Sequence, residues 1–449
     1  MKVVDDVAAE VEFAARVGLD WANRAHVWAM QPADGKREDG ELNNTPEAIE
    51  VWAAELSRRF KGKPIAVALE QSRGALIAML TKYSHLVLFP VHPNTVSNYR
   101  NAFSPSGAKS DPGDAGIILE LLTRHPDKLR RLKTDTEATR RLQFFTEERR
   151  RLVEQRSSET QILTGWLNQV YPQVLALFGD PSSPMVRDLL TLYPTLKDLK
   201  KARPDTLRKF FWQHNCRGEE RITERLDAIK NAVQATTDEP LLAVAAVRIR
   251  TSVQVLAQLQ DGIDQMDSDI EKTYKTHPDR AIMQSFPGAG PALEPRLIAA
   301  VGSIRERFES AADLASFAGI APVTESSGQA LYIHWRWACP KFIRQTFHEW
   351  AGCSVRLKGW ARDHYKNQRN KGNGHHAAVR SVAFKWIRIF YRCWRDNVPY
   401  DEQIYLKALA KQKAPKKHDP KTTSAPLQVV WETCAGGLST PVKISIKSS

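Results

Sequence analysis

The chain has 449 residues, in which Lys and Arg outnumber Asp and Glu by 65 to 51, for a formal net charge of +14 and a pI near 9.5. Its length allows roughly two to four domains, and 42% hydrophobic residues argue against a chain disordered throughout. The basic excess favours a polyanionic partner, of which nucleic acid is the commonest. Cys216, Cys339, Cys353, Cys393 and Cys434 are scattered, with no CxxC pair, which argues against a disulfide framework or a cysteine-rich zinc module. The N-terminal MKVVDDVAAEVEF carries acids where a signal peptide carries bases. Read along the chain, no stretch approaches the roughly 18 apolar residues of a membrane span. The expectation is a cytoplasmic protein with no membrane partner.

In chain order, residues 16–30 (RVGLDWANRAHVWAM) predict two short strands joined by a turn at Ala22-Asn23-Arg24. Thr45-Pro46 reads as a helix start, and Ile49, Trp52, Leu56 and Phe60 follow at helical spacing. PIAVALE (64–70) predicts a buried strand ending in an acid, and LVLFPV (86–91) predicts another. DPGDAGIILELL then opens a helix in acids and continues it in aliphatics. Strands first and helices later predict a mixed α/β layer.

From about residue 126 the strand-like runs stop. Residues 135–170 carry one approximate apolar helical stripe. Ile249, Leu256, Leu259, Ile263, Met266 and Ile270 keep near-heptad spacing, which predicts a dimerising coiled coil over a plain helical hairpin. Compact helical sequence returns at about 280. The tail from KQKAPKKHDPKTTSAP onward, rich in Lys, Pro, Ser and Thr, predicts disorder.

The acids carry the chemistry. Asp20 ends Val17-Gly18-Leu19-Asp20, Glu70 ends the apolar run 65–69, and Asp111 and Asp114 stand three apart at a helix start. That spacing puts the last pair on one helix face, Cβ atoms about 5–6 Å apart. Alone, Asp111 and Asp114 read as partners of the helix dipole and Asp20 as a turn cap. Glu70 is costly at the end of a buried strand without a partner or metal. Together, four hard oxygen donors suit Mg²⁺, with two ions about 3.5–4 Å apart serving phosphoryl transfer.

The segments GLDWANRAHVWAM, AVALEQS and HPNTVSNYRNAFSPSGAKSDPGDAGIILELL resemble the DEDD transposases of bacterial insertion sequences. The resemblance implies a RuvC-like, RNase H-type domain whose tetrad falls on Asp20, Glu70, Asp111 and Asp114, with Lys109 and Ala115 completing the pattern around the last pair. Toward the C-terminus, QSFPGAGPALEPRLIAAV resembles a helix-hairpin-helix turn. FESAADLASFAGIAPVTESSGQ, WRWACPKFIRQTFHEWA and WARDHYKNQRNKGNGHHAAVRSVAFKWIRIFYRCWRDNVPYD resemble the C-terminal transposase domain of the same family. The likeness covers residues 13–125 and 278–405. It implies a serine nucleophile at Ser327, just before Gly328 and beside Ser326, that becomes joined to DNA. A serine hydroxyl needs activation, and the tetrad with its metals is the expected source.

The expected order is a RuvC-like domain at 11–125, a helical coiled-coil region at 126–277, a mostly α transposase domain with a helix-hairpin-helix-like motif at 278–405, and a basic tail at 406–449. Arg336, Lys341, Arg344, Lys366, Arg369, Lys371, Arg380 and Lys385 are interleaved with Trp335, Trp337, Trp360, Tyr365 and Trp386. These bases are the expected nucleic-acid contacts with Lys109, the tryptophans being mostly core. His375-His376 reads as a surface pair, since adjacent helical residues point apart. The resemblance also implies donor and target DNA as partners, a noncoding bridge RNA, a homodimer or homotetramer, and a bacterial cytoplasm. The alternatives are a RuvC-like junction nuclease that uses water, and a non-enzymatic nucleic-acid-binding protein.

Overall fold

The structure, a computed structural model, describes residues 12–103, 111–327, 330–413 and 442–445. The chain divides into two compact units, one through Thr134 and one from Asp135 onward.

The first unit is built on strands β1 (Ala15–Asp20), β2 (Ala25–Pro32) and β3 (Glu38–Asn43), followed by helix α1 (Pro46–Arg59) and strand β4 (Ile65–Leu69). Helix α2 (Ala75–Leu80), strand β5 (Leu86–Pro90) and helices α3 (Pro93–Phe103) and α4 (Asp111–Arg124) complete it. The five strands lie in the order β3-β2-β1-β4-β5. β1–β2 and β2–β3 are antiparallel, while β1–β4 and β4–β5 are parallel. This mixed sheet with helices on it is consistent with the RNase H-type layer that the resemblance implies. The predicted turn and helix start are observed: β1 and β2 flank residues 21–24, and the Thr45 hydroxyl accepts the Ala48 N–H at 3.2 Å with Pro46 in the first turn.

Alternation along the strands sorts side chains by size onto two faces. Val17, Leu19, Ile65, Val67 and Leu69 pack with Ile49, Ala53 and Leu56 of α1. Ala66 and Ala68 face the other way, onto Ile118 and Leu122 of α4. Gly18 shares that second face, for it pairs with Ala68. A Cβ on Gly18 would stand 2.3 Å from both the Ala115 carbonyl oxygen and the Leu119 nitrogen. The small residues therefore let the start of α4 settle directly on the middle of the sheet.

The second unit begins with α5 (Glu137–Val170), which carries a cap of five short helices: α6 (Gln173–Phe178), α7 (Pro184–Leu192), α8 (Leu196–Lys201), α9 (Pro204–Gln213) and α10 (Glu219–Asn231). Helix α11 (Glu239–Lys275) returns alongside α5. Contacts run antiparallel: Arg149 with Asp267, Arg156 with Gln260, and Glu159 with Arg248 and Ser252. This corrects the coiled-coil expectation. Ile249, Leu256, Ile263 and Ile270 are buried within the chain, with Leu259 and Met266 only partly covered. Heptad spacing records one helix lying on another and does not say whether the other belongs to the same chain.

The hairpin has two cores. At the far end Leu163, Leu167 and Val170 meet Ile249, Val253, Leu256 and the cap helices. At the near end Leu142, Ile270 and Tyr274 join the core of the C-terminal body. The hydropathy expectation is corrected too: α11 is long and apolar enough to cross a membrane by length and composition. Of its most apolar stretch 28% is buried inside the chain, Ile249, Val253 and Leu256 among the buried residues.

The C-terminal body contains α12 (Arg280–Gln284), α13 (Gly290–Val301), α14 (Ala311–Phe317), the hairpin of β6 (Val323–Ser327) and β7 (Ala330–His334), α15 (Lys341–Ser354), α16 (Trp360–Asn370), α17 (His375–Asp396) and α18 (Glu402–Lys413). Its centre is aromatic. Trp350, Trp386 and Trp394 are fully buried, and Trp386 lies 4.7 Å, centroid to centroid, from both Trp350 and Trp360. The β hairpin was not anticipated in a mostly α domain. A strand β8 (Val442–Ser445) pairs antiparallel with β7, Leu331 opposite Ile444. The tail expected to be disordered from 406 thus holds the end of α18 and a strand.

Candidate functional sites

Asp20 is the last residue of β1 and Glu70 follows β4 directly. Leu19 pairs with Leu69, so the two acids lie one step further along neighbouring parallel strands, about 4.8 Å apart in backbone terms. Alternation puts Asp20 on the face of Gly18 and Glu70 on the face of Ala68. That is the face that carries α4, whose first turn holds Asp114 beside the Gly18 neighbour Ala115. Three members of the predicted tetrad thus share one face. Asp111 opens α4, but its side chain, like all of Lys109, lies outside the described residues.

Asp114 is 3% exposed. Its Oδ1 accepts two hydrogen bonds from Arg100 of α3, one from Nε at 2.8 Å and one from Nη2. Arg100 supplies the countercharge that a buried carboxylate requires. Sequence reasoning missed Arg100, which stands fourteen residues before Asp114 on a separate helix, and no local pattern links the two. Among the described residues, no three His, Cys, Asp or Glu side chains group as a metal-holding cluster. The donor chemistry of Asp20, Glu70 and Asp114 nevertheless fits a hard cation such as Mg²⁺.

In the second unit, Ser326 is exposed on β6 opposite Leu331. Ser327 ends β6 opposite Ala330, its side chain outside the described residues along with all of Gly328. The serine pair therefore stands at the tip of a β hairpin. At the predicted helix-hairpin-helix-like turn, a Cβ on Gly288 would come within 2.8 Å of the Ser354 nitrogen, so this loop packs against the end of α15. The Trp350 indole N–H donates to the Pro287 carbonyl at 3.1 Å, fixing the loop further.

The predicted basic residues separate into groups. Lys341, Lys366, Arg369 and Lys371 are exposed; Arg369 donates to the Asn373 carbonyl at 2.8 Å. Arg336 donates through Nε to the Ala321 carbonyl at 3.3 Å. Lys385 is half-buried on α17. Arg344 and Arg380 both lie over the Trp335 ring, their guanidinium carbons 5.1 and 4.5 Å from its centroid. His375 and His376 are exposed as expected, yet their rings stay 5.0 Å apart, and His376 also lies 5.7 Å from His348. Burial, reinforced by Arg380, His376 and His375, pushes His348 down to about 4. Burial, with the charges of Lys385 and Lys371, pushes His364 down to about 4 as well.

Acids at the ends of neighbouring strands of a mixed sheet, with an aromatic-cored domain after a helical hairpin, agree with the transposase class. Residues 17–172 match the DEDD-type IS110 family described as Transposase, and residues 280–366 match the one described as Transposase IS116/IS110/IS902 family. The chain belongs to the IS110/IS116/IS900 family of insertion-sequence transposases. It is 28% identical to the "Mini-circle putative transposase for IS117" of Streptomyces coelicolor, over 86% of this chain and 95% of that protein. It is 25% identical to the 44.8 kDa protein of insertion element IS116 from Streptomyces clavuligerus, over 85% and 94%. Against the 42 kDa protein of insertion element IS900 from Mycobacterium paratuberculosis the identity is 26%, over 85% and 96%.

Proposed function

We propose that the chain cuts and rejoins the DNA of its insertion sequence through a covalent serine–DNA intermediate. Asp20, Glu70, Asp111 and Asp114 of a RuvC-like domain would hold two Mg²⁺ ions. Bound there, the ions would activate the nucleophile and stabilise the leaving oxygen of phosphoryl transfer. The observation that carries the reading is the placement of Asp20, Glu70 and Asp114 on the α4 face of the sheet. Ser327 is the nucleophile. Its Oγ forms a bond to phosphorus as one P–O bond of the strand breaks. The serine gives up its proton and the departing strand leaves as a hydroxyl. The place of the serine pair at the end of β6, where Ser326 is exposed, supports this role, because a nucleophile that must meet a DNA backbone needs access. A bridge RNA that selects donor and target DNA, and a homodimeric or homotetrameric assembly, belong to the same reading.

The test is a covalent-adduct assay in cells carrying the complete element. Wild type, Ser327→Ala, Ser326→Ala and Asp114→Asn proteins are denatured and nuclease-digested, and the peptide holding both serines is weighed for a nucleotide remnant. The expected result is an adduct on Ser327 that is lost in Ser327→Ala and Asp114→Asn and kept in Ser326→Ala. Cleavage undiminished in Ser327→Ala, with no adduct, would leave a metal-dependent nuclease that uses water.

A further inference from the structure

The hairpin that carries the serine pair has little beneath it. Thr324, Glu325 and Ser326 of β6 are exposed, and Tyr332, Ile333 and His334 of β7 are only half-buried. None of these six belongs to a hydrophobic core. Across the pair, His334 meets Glu325 at 3.3 Å, but the acid is largely exposed, and such pairs contribute little. A two-stranded hairpin is marginally stable in water by itself; a third strand or a packed face is what steadies one. Strand β8 is that third strand. Val442-Lys443-Ile444-Ser445 alternates β-branched with polar residues, a pattern that favours extended backbone. Val442 stands opposite Ile333, Lys443 opposite Tyr332, Ile444 opposite Leu331 and Ser445 opposite Ala330. Ala330 is also the partner of Ser327. The ladder therefore crosses three strands at the level of Ser327, with β7 in the centre. Both family matches end before this strand, the second of them at residue 366.

We propose that the chain's own C-terminal strand is a positioning element for the serine: β8 fixes β7, and through β7 the end of β6, so that Ser327 is presented in one place. Without β8 the outer edge of β7 bonds only water, and the end of the hairpin is held by two strands alone. A nucleophile that must line up with a phosphorus atom loses rate when it is loosely held, a misplacement of about 1 Å costing about a hundredfold. The role is carried by backbone hydrogen bonds, so it depends on N–H groups of β8 rather than on which side chains the strand bears.

This inference rests on the serine reading of the proposed function, and the experiment separates the two. Along a strand, successive N–H groups point to opposite edges. Of Lys443 and Ile444, one N–H therefore serves the ladder with β7 and the other faces the open edge. Proline removes the N–H, which breaks a ladder but is tolerated on an open edge. Lys443→Pro and Ile444→Pro are made in the full-length protein, with a deletion of residues 442–449 as a third variant. Hydrogen exchange is followed at the β7 amides, serine–DNA adduct yield is measured in parallel, and thermal melts show that each variant is folded. Exchange at the β7 amides that face β8 should rise about tenfold in the deletion and in one proline variant only. Adduct yield should fall about tenfold or more in those same two proteins. Faster exchange with undiminished or increased adduct overturns the positioning role and leaves the serine reading intact. Wild-type β7 amides as unprotected as those of the deletion overturn the pairing itself. Protection that fades on dilution gives the strand to a second copy and overturns its assignment to the same chain. Protection as expected with no adduct in wild type overturns the serine reading, and the positioning role with it, while the pairing stands.

Discussion

Arg100 places two nitrogens on a single oxygen of Asp114, and both side chains are largely shielded from water, at 15% and 4% exposure. The pair joins α3 to the first turn of α4, where the proposed function makes Asp114 a metal ligand. Removing the arginine strands a buried negative charge, a loss that typically costs about 3–5 kcal/mol. Arg100→Met should lower stability by that order in chemical denaturation of the full-length protein, and millimolar Mg²⁺ should recover more of it than Mg²⁺ adds to wild type. A loss under about 1 kcal/mol would show that the pair contributes no more than an exposed one.

Gly18 is where α4 touches the sheet. Adding one methyl group puts a carbon 2.3 Å from two backbone atoms of α4, and a backbone cannot step aside as a flexible side chain can. Gly18→Ala should destabilise the protein by about 1–3 kcal/mol and lower DNA cleavage with it, because the same contact holds Asp114 on the face of Asp20. A thermal melt and a cleavage assay check both effects. Unchanged melting would mean that α4 does not rest on β1.

The helical hairpin should depend on Leu256, which is 1% exposed and sits in the core shared with the cap helices. Leu256→Ala should cost about 2–5 kcal/mol and expose the cap to limited proteolysis. If that substitution instead split an oligomer while leaving the monomer's stability untouched, the seam would face another copy after all.

Acid should weaken the second unit. His348 and His364 are both held to about 4, chiefly by burial, while an unfolded histidine titrates near about 6.5. Below that value the unfolded chain binds protons that the folded chain refuses. The stability these neutral rings contribute is complete above pH 6.5 and is lost as pH falls toward 4. Melting temperature should drop across that window in wild type, and less steeply in a His348→Gln, His364→Gln double variant.

Much of the first unit was legible in sequence. The buried strand 65–69 is apolar on both faces and ends in an acid, and Thr45-Pro46 announces its helix. Strand β3 was not, because it is polar, with Leu42 its one buried residue. It borrows its conformation from pairing with β2, which no local pattern records. The acids Asp20 and Glu70 were readable as strand ends, but their common face follows from the pairing of Gly18 with Ala68. The partnership of Arg100 with Asp114 needed the fold. Likewise the heptads of α11 were real, and their partner was decided by α5 lying within reach of the same chain.

The chain climbs away from the C-terminal body along α5 and comes back along α11, with all five cap helices strung between. In topological terms the cap is one uninterrupted cassette, entered and left through two neighbouring helix ends. Residues 171–238 can therefore be exchanged as a block, for a shorter turn or a foreign domain, while the wiring of the sheet and of the aromatic body stays as it is.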